Sequence, residues 1–305
     1  MGSPTAAVVL NYRTPAITIR AVRSVLQEEP SIIPVVVDNA SGDGSATLFH
    51  ESLPDVRCIA SEANLGFSGG CNLGIAEALR LGADRVLLLN GDVVVLPDAL
   101  AALQRTLDAD DRCGIVGPVL VSSADPELVQ SRGIRYSRTT GRMRHHGFGD
   151  RLQPSASTES QEVDAVSGAA MLIRRKVFER IGLLAEEFFF GFEDLEFCLR
   201  ARAVGFHTAC IRAAIVRHDG SASIGRASPR RIYFATRNHL LLASRHPGLG
   251  ARPGRALTAA SILVLNLAHV LLTSEVPRMA GLRALVHGAR DHARAQYGPA
   301  PSGAT

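Results

Sequence analysis

Tryptophan is absent from the 305 residues, and Lys176 is the only lysine; every other basic side chain is arginine. That skew reads as a GC-rich genome rather than as a binding surface. No run of five like charges occurs, so the electrostatic footprint of a nucleic-acid binder is missing. Five cysteines (Cys58, Cys71, Cys113, Cys198 and Cys210) make an odd number with no pair at CxxC spacing. A disulfide framework and a structural zinc site are both disfavoured, and a reducing compartment fits better. The segment Met1–Leu10 lacks a charged leader region and is too short for a signal peptide. A Walker A loop is absent, and no GxGxxG follows the first strand, which argues against a P-loop and a dinucleotide site. No internal repeat is evident.

What remains is a chain with 46% hydrophobic residues, enough to build one large α/β domain or two small ones. Its net charge of +4 suits an anionic ligand or an acidic lipid surface. Strands are predicted at Ala6–Asn11, Ile32–Asp38, Val56–Ala60 and Arg85–Asn90. Helices are predicted at Pro15–Gln27, Gly44–Leu53, Gly70–Leu81 and Pro97–Leu107, with Pro15 and Pro97 in first turns. The strands are continuous Val- and Ile-rich runs, and strand–helix alternation at this spacing implies a parallel sheet covered on both faces.

Beyond Ile115–Val121, another strand, Ser122–Ser160 is polar and reads as a long surface excursion. Order returns at Val163–Ile173, with helices at Lys176–Ile181 and Asp194–Val204 and a strand at His207–His218. The C-terminal part is predicted helical, with Pro229–Arg245 as one helix and a frayed tail at Gly298–Thr305. Ala256–Thr273 carries no formal charge and places Asn266, His269 and Thr273 on one face. A buried or dimer-forming helix, a helix lying on a membrane surface and a membrane span all stay open for it.

Four segments carry the chemistry. Val86–Asn90 is an apolar run that ends in Asn90-Gly91-Asp92, placing a lone carboxylate where open α/β sheets bind ligands; Asn-Gly-Asp is also good turn chemistry. In Val37-Asp38-Asn39-Ala40-Ser41, Asp38 can accept the imide N–H of a pyrimidine, or it and Asn39 can simply cap the turn. Asn64–Asn72 is glycine-rich ahead of a helix, a place for phosphate or for a plain turn. Phe190-Gly191-Phe192-Glu193-Asp194-Leu195-Glu196 sets carboxylates in an aromatic segment at a helix start, suited to a general base or to an N-cap. At the end of the late strand, His218 is either a metal ligand or a structural histidine.

Together and in this order, these segments resemble the family-two glycosyltransferases, and within them the bacterial rhamnosyltransferase-like enzymes. The resemblance covers about residues 6–245. It implies an α/β GT-A fold, with a Rossmann-like, mostly parallel central sheet flanked by helices and a C-terminal helical extension. The expected division is 1–225 for the nucleotide-sugar-binding and catalytic domain and 226–305 for the extension. By this resemblance the activity is inverting transfer of a sugar, such as rhamnose or another 6-deoxyhexose, from a dTDP- or UDP-linked donor to an acceptor hydroxyl.

The resemblance makes Asp194 the base, with Glu193 beside it, and Asp92 and His218 the ligands of Mg²⁺ or Mn²⁺. It places Asn11, Asp38, Asn39, Asn64, Gly66, Gly69, Asn72, Asn90, Gly91, Gly168, Ala169 and Arg237 along the nucleotide-sugar. The expected acceptor is a sugar, a lipid-linked glycan or a secondary metabolite. Expected location is cytoplasmic, at the inner face of the membrane if the C-terminal helices touch it; those helices also suit a homodimer.

Two departures stand out. The first acid of the family's Asp-x-Asp is Asn90 here, a neutral ligand at best, and without tryptophan the sugar face falls to Phe67, Phe190, Phe192 or Tyr233. A noncatalytic nucleotide-sugar sensor or scaffold is the alternative kept open by Asn90. A sugar nucleotidyltransferase would need a basic glycine-rich loop after the first strand, where only Arg13 is present.

Overall fold

The computed structural model describes residues 3–153, 160–220, 225, 227–248 and 252–301. In chain order, the first half alternates β1 (Thr5–Asn11), α1 (Pro15–Glu28), β2 (Ile33–Asp38), α2 (Ser45–Ser52), β3 (Arg57–Ala60), α3 (Gly66–Arg80) and β4 (Arg85–Asn90). Next come β5 (Val93–Val95), α4 (Ala99–Ala109) and β6 (Cys113–Ser122). Short strands β7 (Val129–Ser131), β8 (Ile134–Tyr136), β9 (Met143–His145) and β10 (Ser160–Val163) precede β11 (Ala170–Arg174) and α5 (Arg175–Ile181). A 3-10 turn at Glu186–Phe188 leads to α6 (Glu193–Ala203) and β12 (His207–His218). Helices α7 (Pro229–Arg245), α8 (Arg252–Leu272) and α9 (Arg278–Ala293) follow.

The main sheet runs β10-β12-β6-β11-β4-β1-β2-β3, with β5 on β12 and β7 on β6. Strands β1 to β4 are mutually parallel, β12 is parallel to β6, and β11 runs antiparallel between β6 and β4. Alternate strand residues serve opposite faces, as the two-residue period requires. Val8, Val35, Val37 and Leu88 pack in one core with Ile75 of α3 and Phe197 of α6. Ala7, Val9, Val36, Leu87 and Leu89 pack in the other with Val22 of α1 and Leu100 and Leu103 of α4. Both faces are thereby dry, which is why these strands read as unbroken apolar runs.

Three expectations need correction. The Asn64–Asn72 segment is mostly helix: α3 begins at Gly66, four residues before the predicted Gly70. Gly66, Gly70 and Gly74 form a stripe at i, i+4, i+8, and a Cβ on them would stand 2.3 Å from the Phe189 carbonyl, 2.5 Å from Leu10 and 2.3 Å from Val8. The glycines seat the helix against β1 and the Phe189 loop rather than opening a phosphate loop. Pro97 stands outside α4, two residues before it begins.

The polar stretch after residue 122 is more than a surface excursion. It forms β7, β8 and β9 and buries Val129, Ile134 and Tyr136, although residues 154–159 lie outside the described set. Residues 302–305 of the predicted frayed tail also lie outside it, and the 225/226 division adjoins one such residue. Helix α9 lies within the part predicted helical, with no boundary of its own marked in the sequence. It lays Gly288 against the Tyr233 carbonyl and Thr236 of α7.

Candidate active site

The carboxyl ends of β1, β2 and β4 meet at one edge of the sheet, with Leu10 paired to Asn90 and Asn11 to Asp38. A cleft of about 840 Å³ opens there. Its walls include Tyr12, Phe67, Asn90, Gly91, Asp92, Ser131, His145, Glu193, Asp194 and His218, and on the far side Arg231 of α7 and Asn266 and His269 of α8.

The Asn90-Gly91-Asp92 turn is fixed from several sides. Asn90 donates its amide to the Ala169 carbonyl at 2.9 Å, and the Asp219 amide donates to the Asp92 carbonyl at 3.1 Å. Only glycine fits between them, because a Cβ on Gly91 would lie 2.5 Å from Thr18 Oγ1 and 3.0 Å from the Leu10 carbonyl. His218 Nε2 lies 3.4 Å from Asp92 Oδ1. On its other side, Nδ1 meets Gln130 Oε1 at 2.9 Å, while Gln130 Nε2 donates to the His218 carbonyl at 3.1 Å. The glutamine thus presents an acceptor to Nδ1–H and leaves Nε2, turned toward the Asp92 carboxylate, as the nitrogen available to ligate.

Two lone-pair atoms converging in this way suit a shared cation. Asn90 adds a third donor atom, because its Oδ1 is buried at the cleft wall without a hydrogen-bond partner among the described residues. Amide oxygen, carboxylate and imidazole together fit Mn²⁺ or Mg²⁺, although among the described residues no three His, Cys, Asp or Glu cluster.

Asp194 stands in the first turn of α6. Gly168 donates its amide to Asp194 Oδ2 at 2.8 Å, and the Leu195 amide donates to Oδ1 at 2.7 Å. Gly168 is wedged in: its Cβ would meet both Asp194 Cβ and the Phe67 ring at 3.3 Å. Because Ala169 bonds Asn90 and Gly168 bonds Asp194, two consecutive residues tie the metal-type turn to the acid. Glu193 differs sharply from its neighbour. It is 6% exposed, and its Oε2 has no hydrogen-bond partner among the described residues. Burial first, and then the Asp194 charge, push its carboxyl up to about 8. Glu193 is therefore held toward its protonated form at neutral pH, beside Asp194, the expected base.

The turn leading into α6 is strained. Phe189 and Phe192 have φ of 58° and 75°, in the left-handed region that costs ~1–3 kcal/mol for such residues. Asn238 holds it by donating to the Phe188, Phe190 and Gly191 carbonyls at 2.7, 2.9 and 2.9 Å. Arg237 donates to the Glu187, Phe188 and Gly298 carbonyls and lies fully buried by the Tyr233 and Phe234 rings. It clamps the acidic loop from behind and does not reach the cleft, contrary to the expectation that it approaches a diphosphate.

The nucleotide-side residues divide similarly. Asn11 donates to Asp38 Oδ1 at 2.8 Å and to Ser41 Oγ at 3.0 Å, holding the Asp38 carboxylate at the β2 edge. Asn39 Oδ1 accepts the Leu65 amide, and its Nδ2 donates to the Gly66 carbonyl and Asn64 Oδ1. Asn64 also receives the Gly66 amide. Asn72 is spent on the Leu184 backbone and Glu186. Asn39, Asn64 and Asn72 are spent on these contacts, Gly66 and Gly69 lie off the cleft wall, and Phe67 is what this segment offers the cleft.

Sequence reasoning missed Gln130, Ser131 and His145, all in the stretch read as an excursion. His145 Nδ1 lies 3.0 Å from Ser131 Oγ, whose own proton goes to the Gly133 carbonyl at 3.2 Å. Nδ1–H of His145 is thus the donor. Burial holds its pKa below the ordinary value, against the pull of Asp194 and with a push from His218. Hydrophobic alternation along β7–β9 was the available signal, since Val129, Ile134 and Tyr136 point inward.

Residues 3–239 match the family described as Glycosyltransferase like family 2. The chain belongs to that family. This glycosyltransferase is 26% identical over 276 residues to an N-acetylglucosaminyl-diphospho-decaprenol L-rhamnosyltransferase of Mycobacterium tuberculosis, covering 83% of this chain and 87% of the relative. A Pyrobaculum calidifontis mannosyltransferase, solved with GDP-Man and Mn²⁺, superposes with TM-score 0.57 at 15% identity, covering 96% of this chain and 88% of the other. GalNAc-T7, solved with UDP, GalNAc and Mn²⁺, superposes at 0.59 and 13% identity, covering 90% of this chain, which spans 58% of that protein's length. At these identities the likeness establishes the fold, and this glycosyltransferase has the GT-A architecture.

Proposed function

We propose that this glycosyltransferase transfers a sugar from a nucleoside diphosphate to an acceptor hydroxyl with inversion, using Asp194 as the base. What carries the reading is the difference between adjacent carboxyls on one cleft wall. Glu193 is buried and protonated, whereas Asp194 is oriented by the Gly168 amide and lines the cleft. Asp194 takes the proton from the acceptor hydroxyl as its oxygen attacks the anomeric carbon from the face opposite the leaving diphosphate. Help of this kind contributes ~10²–10⁴-fold.

Asn90 Oδ1, the Asp92 carboxylate and His218 Nε2 are the groups that would hold the divalent cation. When bound, Mn²⁺ or Mg²⁺ offsets the charge that develops on the departing diphosphate. Gln130 fixes the His218 tautomer, and Phe67 with Tyr12 gives the donor an apolar wall. Asp38, held by Asn11, is the acceptor for a pyrimidine imide. The mycobacterial relative's name, a rhamnosyl transfer to N-acetylglucosaminyl-diphospho-decaprenol, favours rhamnose as the sugar and a lipid-linked glycan as acceptor, and dTDP is the pyrimidine carrier we propose for it. The test is to supply dTDP-, UDP- and GDP-sugars with Mn²⁺ or Mg²⁺ and a diphospholipid-linked amino sugar, then read released nucleoside diphosphate and the product's anomeric configuration. Release from dTDP-rhamnose with an inverted linkage supports the proposal; retention of configuration overturns it.

A further inference from the structure

Helix α8 has two unlike faces. Its inner side is sealed to the domain: Ile262 and Val270 are buried, and Thr258 and Ser261 donate to the carbonyls of Thr139 and Thr140. Asn266, His269 and Thr273 on this side line the cleft. The outer side carries Leu257, Val264 and Leu271 at seven-residue spacing, about 140–180° around the helix from Asn266 at ~100° per residue. Val264 is 65% exposed and Leu272 81%. The stretch Pro253–Leu272 has a mean hydropathy of 1.7 with only 17% of its most apolar window buried. So long an apolar face, left open to solvent, calls for a covering partner.

Helix α9 says which one. Gly281, Ala284 and Gly288 turn inward, and the opposite stripe is Met279, Arg283, Val286 and Arg290, all exposed. The acid of this helix, Asp291, is buried against the Tyr233 hydroxyl. Charge over the whole chain follows the same division. Residues 1–251 hold 27 basic and 27 acidic side chains, while 252–305 hold 6 arginines and 2 acids. The entire net charge of +4 therefore lies on the segment that exposes the leucines. Alternating arginine and apolar side chains match an interface where guanidinium groups meet phosphate and aliphatic side chains enter the acyl boundary. A second copy of the chain would set this arginine stripe against itself. The apolar arc of α8 is also broader than the narrow seam of a helix pair.

We propose that α8 and α9 dock on the surface of an anionic lipid bilayer, with α8 lying in the interface rather than crossing it. The sealed inner face of α8 excludes a span without dismantling its contacts. Docked in this way, α8 separates lipid on one side from the active-site cleft on the other by a single helix. An acceptor anchored in that bilayer then reaches the cleft along Asn266 and His269.

Flotation of the full chain with vesicles tests the docking without donor, acceptor or turnover, so its outcome is independent of the proposed reaction. We expect binding to phosphatidylcholine vesicles containing phosphatidylglycerol, little to phosphatidylcholine alone, and release by salt. Each arginine near an anionic surface is worth about fivefold, so the double variant R283Q/R290Q should bind more than tenfold more weakly. V264S/L271S should weaken binding comparably, and both should keep the wild-type melting temperature and turnover of a soluble acceptor. Failure to bind, equal binding to neutral vesicles, indifference to both double variants, or a concentration-dependent dimer that covers this face overturns the proposal.

Discussion

Replacing Glu193 by glutamine tests whether burial has separated the two adjacent carboxyls. In the folded protein the Glu193 proton is held up to about pH 8, against an ordinary 4.5. Between those values the folded state binds more protons than the unfolded chain, so stability must fall as pH rises across that window. The gap sets a ceiling of about 5 kcal/mol at 1.36 kcal/mol per pH unit. Relaxation of the pocket and entry of water bring the expected loss to roughly 2 kcal/mol. Glutamine cannot ionise, so E193Q should lack this slope. Any cost of its unpaired amide is independent of pH and drops out of the comparison. Melting temperatures of both proteins, measured from pH 5 to pH 9, should diverge in favour of E193Q by roughly 4–8 °C, since 1 kcal/mol moves Tm by about 2–4 °C at this size. Parallel curves would show that Glu193 ionises normally and would refute the separation of roles. At neutral pH, where Glu193 is already protonated, E193Q should keep most of its kcat.

Asn90→Asp adds a second carboxylate beside Asp92, so the concentration of Mn²⁺ giving half-maximal activity should fall severalfold in a metal titration. Asn238→Ala takes the side-chain donor from the Phe190 and Gly191 carbonyls of the strained turn and one of several donors from Phe188; ~2–4 kcal/mol of stability should go by chemical denaturation, with kcat falling as Asp194 loses its support. Gly91→Ala drives a methyl into Thr18 and the Leu10 carbonyl, so ~1–3 kcal/mol of destabilisation is expected, with weaker metal dependence of activity.

Much of this molecule is legible in its sequence because the sheet is covered on both faces. Continuous runs such as Val86–Leu89 have few alternatives to a buried parallel strand, and β4 and β12 coincide with their predicted limits. Asp92, His218 and Asp194 were legible because each sits at a well-marked element boundary, just past β4, at the end of β12 and in the first turn of α6. Glycines misled where packing, not turning, demanded them: Gly66, Gly70 and Gly74 look like a loop in one dimension and form a contact stripe on α3 in three. Arg237 misled in another way. Nothing in a linear pattern says whether a guanidinium is aimed at phosphate or at the carbonyls of Glu187 and Phe188. His145 and Gln130 stayed hidden because their positions depend on pairings that close over distance, β9 on β8 and β7 on β6.

The most direct test of the account is Asp194→Asn, read by two assays on the same preparation. The amide keeps the shape of the carboxylate but cannot take a proton. The expected result is a kcat lower by ~10²–10⁴-fold, with the donor's Kd, measured by calorimetry in the presence of Mn²⁺, within about twofold of wild type. Transfer at the wild-type rate would contradict the central claim.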